Sequence, residues 1–223
     1  MKKIVKKRVG KKPFKHRRVA AGAYLYRVLP ELDDAMLDNI ELWARVPLDA
    51  VKRGEGTKDN VSNVQTALTF GFVLAAAFEN KTEMQMLIQL ATAGIGGALR
   101  LIEKGQTGTE YPELFEPVDA ALGVISDMQR TVEREVLVRC IDAIKVHNFS
   151  LRVNPKSAFL IPADERAKRF MNRPGLAYIN GKARSGYLQK NDTMNRIEWV
   201  SPNEGLQIPI TKYTLIVFAE PLK

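Results

Sequence analysis

The sequence predicts an α+β fold: an N-terminal basic arm, an antiparallel helical bundle, and a small C-terminal antiparallel β-meander. Three observations support this prediction. The first thirty residues carry eleven Lys or Arg and no Asp or Glu. Through the middle of the chain, apolar residues recur at spacings of three and four, which is typical of helices. Beyond Pro174 the apolar spacing becomes two, which is typical of strands. The predicted divisions are 1–28 for the arm, 29–148 for the bundle and 149–223 for the β-rich region.

Composition excludes several classes of protein. The chain has 223 residues, of which 45% are hydrophobic and 26% charged, close to the average of soluble globular domains. A single cysteine excludes an internal disulfide framework and a cysteine-built zinc site, and two histidines leave few acid–base or metal combinations. The sequence contains no recognisable pairing of a nucleophile with a base. We therefore expect a protein that is not an enzyme and that needs no cofactor or metal.

The positive charge is concentrated in the arm. From Glu31 onward the chain has 23 basic and 25 acidic residues, so the net charge of +9 comes from the first thirty residues. Closely spaced cations release condensed counterions when they meet nucleic-acid phosphates. We expect the arm to bind the phosphate backbone of DNA or RNA with little sequence preference. The candidate binding residues are Lys2, Lys3, Lys6, Lys7, Arg8, Lys11, Lys12, Lys15, Arg17 and Arg18.

Two other interpretations of the arm stay open, a solubilising tail and a targeting segment. A secretory signal needs about 7–15 apolar residues after its charges. The stretch from Val19 to Tyr26 is short, contains two tyrosines and is followed by Arg27, so export is not expected. The most apolar run, Ala67 to Phe78, is far shorter than the roughly 20 residues of a membrane-spanning helix. We predict a cytoplasmic protein with no membrane partner.

Capping residues and helix-breaking residues determine the boundaries of the predicted helices. Pro30 and the acidic residues after it favour a helix start, and Pro47 is expected to interrupt that helix. Thr57 is a candidate N-cap, and Gly105 is a candidate stop. Because the connections are short, the helices should pack as an antiparallel bundle. The predicted helices are 30–46, 48–53, 58–78, 82–103 and 112–148, the last with a kink or a late start near Pro117.

The β-rich region is predicted from alternation and turn residues. Asn180-Gly181 is the strongest hairpin signal, and a short helix is expected over 163–171. Residues 148–162 are expected to form an exposed connector, because Asn154-Pro155 and Ile161-Pro162 punctuate them. The sequence leaves open whether the sheet packs on the helices. The predicted strands are 176–179, 186–189, 196–200, 206–210 and 214–219.

Several residues that could carry chemistry have a structural interpretation that we favour. Gly94, Gly96 and Gly97 lie within a helical pattern and lack the spacing of a nucleotide-binding loop, so close helix packing is expected. Cys140 lies on an apolar stripe and is expected to be buried. The carboxylates Glu110, Glu113, Glu116 and Asp119 recur near a helix start, where acidic side chains complement the helix dipole.

Aromatic and basic residues alternate on the predicted strands. Single-strand nucleic-acid platforms use this combination, with bases stacked on the rings and cations along the backbone. Aromatic residues of a small sheet also form its core, and we expect that role here. The residues concerned are Tyr178, Lys182, Arg184, Tyr187, Lys190, Arg196 and Trp199.

One part of the chain resembles small helical accessory proteins of bacterial phages and prophages. The resemblance covers residues 30–145. It is carried by Leu48-Asp-Ala-Val-Lys-Arg-Gly-Glu-Gly-Thr57 with the apolar helix that follows, by Glu110-Tyr-Pro-Glu-Leu114 and by Asp119-Ala-Ala-Leu122. It implies a phage or mobile-element origin and a bacterial cytoplasm, and it supplies no catalytic residue.

Two functions therefore compete. The leading hypothesis is a nucleic-acid-associated accessory or regulatory protein that binds phosphates through its arm. The alternative is a protein–protein interaction module, such as a phage inhibitor or an assembly adaptor acting on a host or virion complex. A protein partner or a second copy of the chain fits either hypothesis.

Overall fold

The computed structural model describes residues 34–106, 110–152, 154 and 156–219, and within them an α+β fold, as predicted. A six-stranded antiparallel sheet follows five α-helices. The helices are α1 (Asp34–Lys52), α2 (Lys58–Leu74), α3 (Lys81–Glu103), α4 (Glu116–Thr131) and α5 (Arg134–His147). The strands are β1 (Ala158–Ile161), β2 (Gly175–Ile179), β3 (Lys182–Asn191), β4 (Arg196–Ser201), β5 (Leu206–Pro209) and β6 (Thr214–Phe218). Short 3₁₀ turns cover Ala75–Ala77, Pro112–Leu114, Glu165–Phe170 and Pro202–Glu204.

Helix α3 is the central element of the fold. It packs against α2 and α4 on the bundle side and against β1, β2, β3 and β6 on the sheet side. Ile88, Leu90 and Ile95 are buried completely or almost so along it. By length and composition alone α3 could cross a membrane, but half of its most apolar window is buried inside the protein. Its contacts are those of a core helix.

Local chemistry sets several helix ends where the sequence predicts them. Thr57 caps α2 in a capping box: its hydroxyl accepts from the Asn60 N–H, and the Asn60 side chain accepts from the Thr57 N–H. Gly105 follows α3 with φ +69°, a conformation that glycine adopts without a Cβ penalty. Asn148 ends α5 in the left-handed conformation.

The predicted break at Pro47 is wrong, because α1 is continuous through Pro47 to Lys52. A proline inside a helix removes one backbone hydrogen bond and crowds the preceding turn. Leu48 and Val51, on the turn after Pro47, are each only 1% exposed in the bundle core. Burial of these two side chains offsets the free-energy cost of the proline inside the helix. Tertiary packing therefore keeps α1 helical beyond Pro47.

The single long helix predicted over 112–148 is also wrong. A 3₁₀ turn at Pro112–Leu114 is followed by two separate helices, α4 and α5. Between them Val132 is extended, with φ −93° and ψ 152°. The break lets the two helices take different neighbours: α4 packs on α1, α2 and α3, while α5 packs mainly on α2. Neither glycine nor proline lies at this point, so the sequence gives no breaker signal.

The sheet has the strand order β1-β6-β2-β3-β4-β5 and is antiparallel throughout. Strands β2 to β5 are consecutive neighbours, as in the predicted meander, and β6 and β1 extend the sheet beyond β2. Asn180 (φ 53°) and Gly181 (φ 75°) join β2 to β3, with Ile179 paired to Lys182. Two positive φ angles are those of a type I′ turn, so the predicted hairpin is confirmed. Strand β1 is absent from the sequence prediction.

The two faces of the sheet belong to different cores. Ala158 and Leu215 face the bundle and join its core. Phe170, Trp199 and Ile216 belong to a second core, which the sheet and the 3₁₀ turn Glu165–Phe170 enclose. Contacts group residues 31–223 into one compact unit. The question that the sequence leaves open is thus answered, because the sheet packs against α3.

Glycine in α3 has two different roles. A Cβ on Gly94 would clash with the Leu114 carbonyl oxygen, and on Gly97 it would lie 3.0 Å from a Leu114 methyl group. These two glycines let the 3₁₀ turn approach the helix, as the prediction of close packing requires. Gly96 differs, because a Cβ there would meet no atom within 4 Å. The prediction of close packing is wrong for Gly96.

This contrast predicts opposite effects of one substitution. Gly94→Ala should destabilise the protein by about 1–3 kcal/mol, because the turn must move away from the helix. Gly96→Ala should stabilise it by about 0.5–1 kcal/mol, because it restricts the unfolded chain without a clash. Urea unfolding followed by circular dichroism measures both. Equal effects of the two substitutions would contradict the assignment of Gly94 to the contact.

A polar cluster ties α1 to α4. Glu41 accepts from the Ser126 hydroxyl at 2.5 Å and from the Arg45 guanidinium at 2.5 Å. Arg130 lies 3.7 Å from the same carboxylate. These hydrogen bonds, from Ser126 first and Arg45 second, hold the pKa of Glu41 below its ordinary value of 4.5.

The cluster predicts a stability that depends on acid. A lowered folded-state pKa means that the carboxylate's contribution is present above the ordinary value and is lost as the pH falls through the folded value. Glu41→Gln should lower the free energy of unfolding at pH 7 by about 1–2 kcal/mol, since charged hydrogen bonds are lost. Below pH 4 the difference between the two proteins should shrink. Urea unfolding at several pH values tests this, and a difference that does not change with pH would contradict it.

Candidate functional site

The ten predicted arm residues lie outside the described residues, so phosphate binding by the arm stays a prediction. The aromatic and basic residues of the strands are described. Trp199 has no exposed surface and lies in the second core, as expected. Arg184 is 8% exposed and pairs with Glu204. Since Trp199 cannot stack on a base, these strands do not form an aromatic platform around it.

The charges of the folded part divide between its two halves, which the sequence analysis missed. Residues 31–148 contain eleven basic and nineteen acidic residues, a net charge of −8. Residues 149–223 contain twelve basic and six acidic residues, a net charge of +6. Counting the two segments separately would have revealed this, whereas the combined value of −2 hides it. The β-rich region therefore has the same sign of charge as the arm.

Some cations of the β-rich region are neutralised and others are not. Within the described part of the chain, Lys190 pairs with Asp192 at 2.9 Å and Arg196 with Glu198 at 2.7 Å. Arg169 lies over the Phe170 ring, with its guanidinium carbon 4.8 Å from the ring centroid. The basic residues that form no ion pair among the described residues are Arg152, Lys156, Arg169, Lys182 and Lys212.

A cleft of about 740 Å³ opens between α2, α3 and the segment that leads into β1. We call it the α2–α3 cleft. Helix α2 lines it with Ser62, Gln65 and Thr66, and the segment after α5 adds Arg152. The α3 wall consists of Thr92, Ala93, Ile95, Gly96, Leu99, Arg100 and Glu103. The cleft thus combines an apolar floor with two arginines.

Arg100 is half-buried in this cleft and has no carboxylate partner among the described residues. Its Nη2 donates to the Ala158 carbonyl oxygen at 3.5 Å, a long hydrogen bond. Glu103, one turn further along α3, pairs with Lys58 at 3.1 Å instead. Burial lowers the pKa of Arg100 below its ordinary value. An arginine guanidinium is nevertheless charged at neutral pH. A buried charge without a partner is uncommon, because desolvation is costly.

The prediction of an exposed connector over 148–162 is wrong in part, because Leu151 is buried and Ala158–Ile161 form β1. The segment before β1 is anchored to α2. The Gln65 side-chain amide donates to the Leu151 carbonyl oxygen at 2.8 Å. The Leu151 N–H donates to the Thr69 hydroxyl at 3.2 Å, and Leu151 itself is buried in the bundle core. Arg152, the residue after Leu151, is exposed. The anchor thus fixes the main chain beside Arg152 at the mouth of the cleft.

The other residues weighed as chemical candidates have structural surroundings. Cys140 is buried, and burial raises the pKa of its thiol. Asp119 accepts from the Lys52 ammonium at 2.7 Å through each carboxylate oxygen. Among the described residues no group of His, Cys, Asp or Glu could hold a metal ion.

Comparisons of the chain with protein-family models, curated proteins and solved structures gave no match. The function is therefore argued from the residues of this chain. Arg100 and Arg152 are the functional candidates that sequence reasoning missed. They are 52 positions apart in the numbering and follow no motif, so only the packing of α2, α3 and β1 brings them to one cleft.

The anchor of the connector predicts protease sensitivity. Thr69→Val keeps the shape of the side chain but leaves the Leu151 N–H without an acceptor, so trypsin should cleave after Arg152 faster than in the wild type. Thr66→Val is the matched control, because the Thr66 hydroxyl bonds only within α2, to the Ser62 carbonyl oxygen. Mass spectrometry of timed digests measures the rates. Equal cleavage in both variants would show that Thr69 does not hold the connector.

Proposed function

We propose that the protein is a nucleic-acid-associated accessory or regulatory protein, of phage or mobile-element origin, that binds phosphates through its basic arm and its basic β-rich region. One observation carries the proposal, the division of charge along the chain. The arm and the β-rich region are both positive, while the bundle between them in sequence is negative. Phosphate backbones attract the first two and repel the third.

The ion pairs of the β-rich region support the same proposal. Lys182 and Lys212 are exposed, and neither forms an ion pair within the described residues. Lys182 begins β3 after the tight turn, and Lys212 lies in the loop between β5 and β6. Because the main chain at these positions is already ordered, only side-chain entropy is lost when the two lysines contact phosphates. They would add to the electrostatic attraction supplied by the arm.

A second candidate function, a protein–protein interaction module, is favoured by the outer surface of α1. Leu42, Trp43 and Val46 are 52%, 49% and 60% exposed there. Clustered large apolar side chains on a surface are typical of interaction sites. The surface lies on the acidic half of the protein, so it would leave the basic regions free for nucleic acid. The two candidate functions are compatible.

Salt dependence tests the leading proposal. If about six of the arm cations engage a duplex, the slope of log affinity against log salt should be about −5, from roughly 0.9 per neutralised phosphate. A chain without residues 2–18 should show a flatter slope and unchanged helical content. Fluorescence anisotropy with labelled duplex and single-stranded oligonucleotides measures both. If neither protein binds at low salt, the nucleic-acid proposal fails and the interaction module becomes the leading function.

Charge reversal tests the contribution of the folded part. Lys182→Glu with Lys212→Glu should weaken binding and flatten the slope by up to about 2, since two phosphate contacts are removed. Lys81→Glu with Lys104→Glu in the bundle is the matched control, because it changes the net charge equally on the acidic half. Equal losses in the two double variants would show that net charge alone matters and that the β-rich region makes no contacts.

A further inference from the structure

We propose that the α2–α3 cleft is a binding site for a small organic phosphate, whose phosphoryl group is held by Arg100 and Arg152 while its body lies on the apolar floor. This site is independent of the nucleic-acid surface proposed above. Its volume, about 740 Å³, lies within the range of roughly 300–1,000 Å³ that is typical of small-ligand pockets.

The half-buried guanidinium of Arg100 carries the anion preference. A guanidinium has five N–H donors in a planar fork that matches two oxygens of a phosphate. One of these donors of Arg100 forms a hydrogen bond to the Ala158 carbonyl oxygen at 3.5 Å. No carboxylate pairs with the guanidinium within the described residues. An anion in the cleft would supply the missing acceptors and the missing charge. Arg152, exposed at the same cleft, can contact a second face of the same anion.

The one acidic residue of the lining does not oppose an anion strongly. Glu103 lies at the α3 end of the lining, one helical turn beyond Arg100, and its carboxylate is paired with Lys58 at 3.1 Å. Because Glu103 is paired with Lys58, Arg100 and Arg152 are the charged residues of the described cleft lining that no ion pair neutralises. Ser62 and Thr66 add hydroxyl groups on the α2 wall. The lining as a whole favours one small anion rather than a cation.

The floor of the cleft explains why the ligand should have an organic body. Apolar residues line the cleft beside the arginines: Leu99 is half-buried, while Val61 and Ile95 are almost fully buried. Gly96 lies among them with open space where a Cβ would be. A flat or apolar ligand body can therefore approach the α3 backbone at Gly96. Inorganic phosphate alone would leave this surface uncovered.

Titration calorimetry with the full chain tests the site, using adenosine 5′-monophosphate, adenosine and inorganic phosphate as probes. The monophosphate should bind more tightly than either adenosine or inorganic phosphate. Arg152→Ala and Arg100→Gln should each weaken its binding about tenfold or more, as expected for a charged hydrogen bond. Lys156→Ala, an exposed cation outside the cleft lining, should leave binding within about twofold of wild type.

Filling the cleft gives a test that does not depend on charge. Gly96→Leu should abolish binding of the monophosphate, while Gly123→Leu on α4, also with open space at the Cβ position, should keep it. Thermal unfolding confirms that each variant is folded. Binding that survives Arg152→Ala and Gly96→Leu would overturn the proposal, as would equal affinity for adenosine and its monophosphate. Binding of a short oligonucleotide at the cleft without binding of the monophosphate would overturn it as well.

The two proposals fail in different ways. Loss of the arm changes the salt dependence of oligonucleotide binding and leaves the monophosphate affinity unchanged. The cleft variants do the reverse, because Arg100 lies in the acidic bundle and Arg152 lines the cleft, whereas Lys182 and Lys212 are the cations of the folded part whose contacts with nucleic acid are tested above. Failure of one set of measurements therefore leaves the other proposal standing.

Discussion

The fold depends on the close contact that α3 makes on two sides at once. The bundle packs on one side of this helix and the sheet on the other, and Gly94 lies where the two meet. A Cβ at this position would strike the Leu114 carbonyl oxygen and would lie 3.4 Å from a methyl group of Leu215 in β6. Interiors are packed so densely that one added methyl group is felt. The absence of a side chain at Gly94 therefore lets the turn at Leu114 approach α3 at the point where α3 also contacts Leu215 of the sheet.

The shared core has consequences for the connector between bundle and sheet. The chain that leads from α5 to β1, which packs on α3 together with β6, runs beside the middle of α2. Gln65 and Thr69 bind it there through Leu151. The same segment lines one side of the α2–α3 cleft and places Arg152 in the cleft that Arg100 also lines. The cleft is thus a product of the packing between bundle and sheet, and neither half would form it alone.

The elements that could be predicted are those fixed by local chemistry. The cap at Thr57, the left-handed Gly105 and the Asn180-Gly181 turn each follow from a few neighbouring residues. Apolar spacing is enough to separate the helical half from the β half. The predictions are wrong where contacts between residues far apart in sequence determine whether a helix continues or ends. Burial of Leu48 and Val51 carries α1 through Pro47, and the extended Val132 divides a helix that no residue type interrupts.

The candidate site was harder to predict for the same reason. The positive arm is visible in composition because its charges are contiguous. The +6 charge of the β-rich region is visible only after the boundary between the halves is drawn. Arg100 could not be found from the sequence, since its significance is that no carboxylate among the described residues pairs with it in three dimensions. In sequence its nearest acidic neighbour is Glu103, and the structure assigns that carboxylate to Lys58.

The two kinds of cation in this protein suit different tasks. Exposed charges more than a Debye length apart, about 8 Å at physiological salt, are largely screened from one another, so a basic arm attracts polyanions without directional selectivity. A half-buried guanidinium such as Arg100 is less screened, and its fixed donors select the geometry of the acceptor. Arg100 also lies on the acidic half, where a long polyanion meets net repulsion. A small ligand with one or two charges, enclosed in the cleft, meets the arginines at close range and little of that repulsion. If both proposals hold, the distribution of charge separates polyanions, attracted by the arm and the β-rich region, from small phosphates that enter the cleft at Arg100.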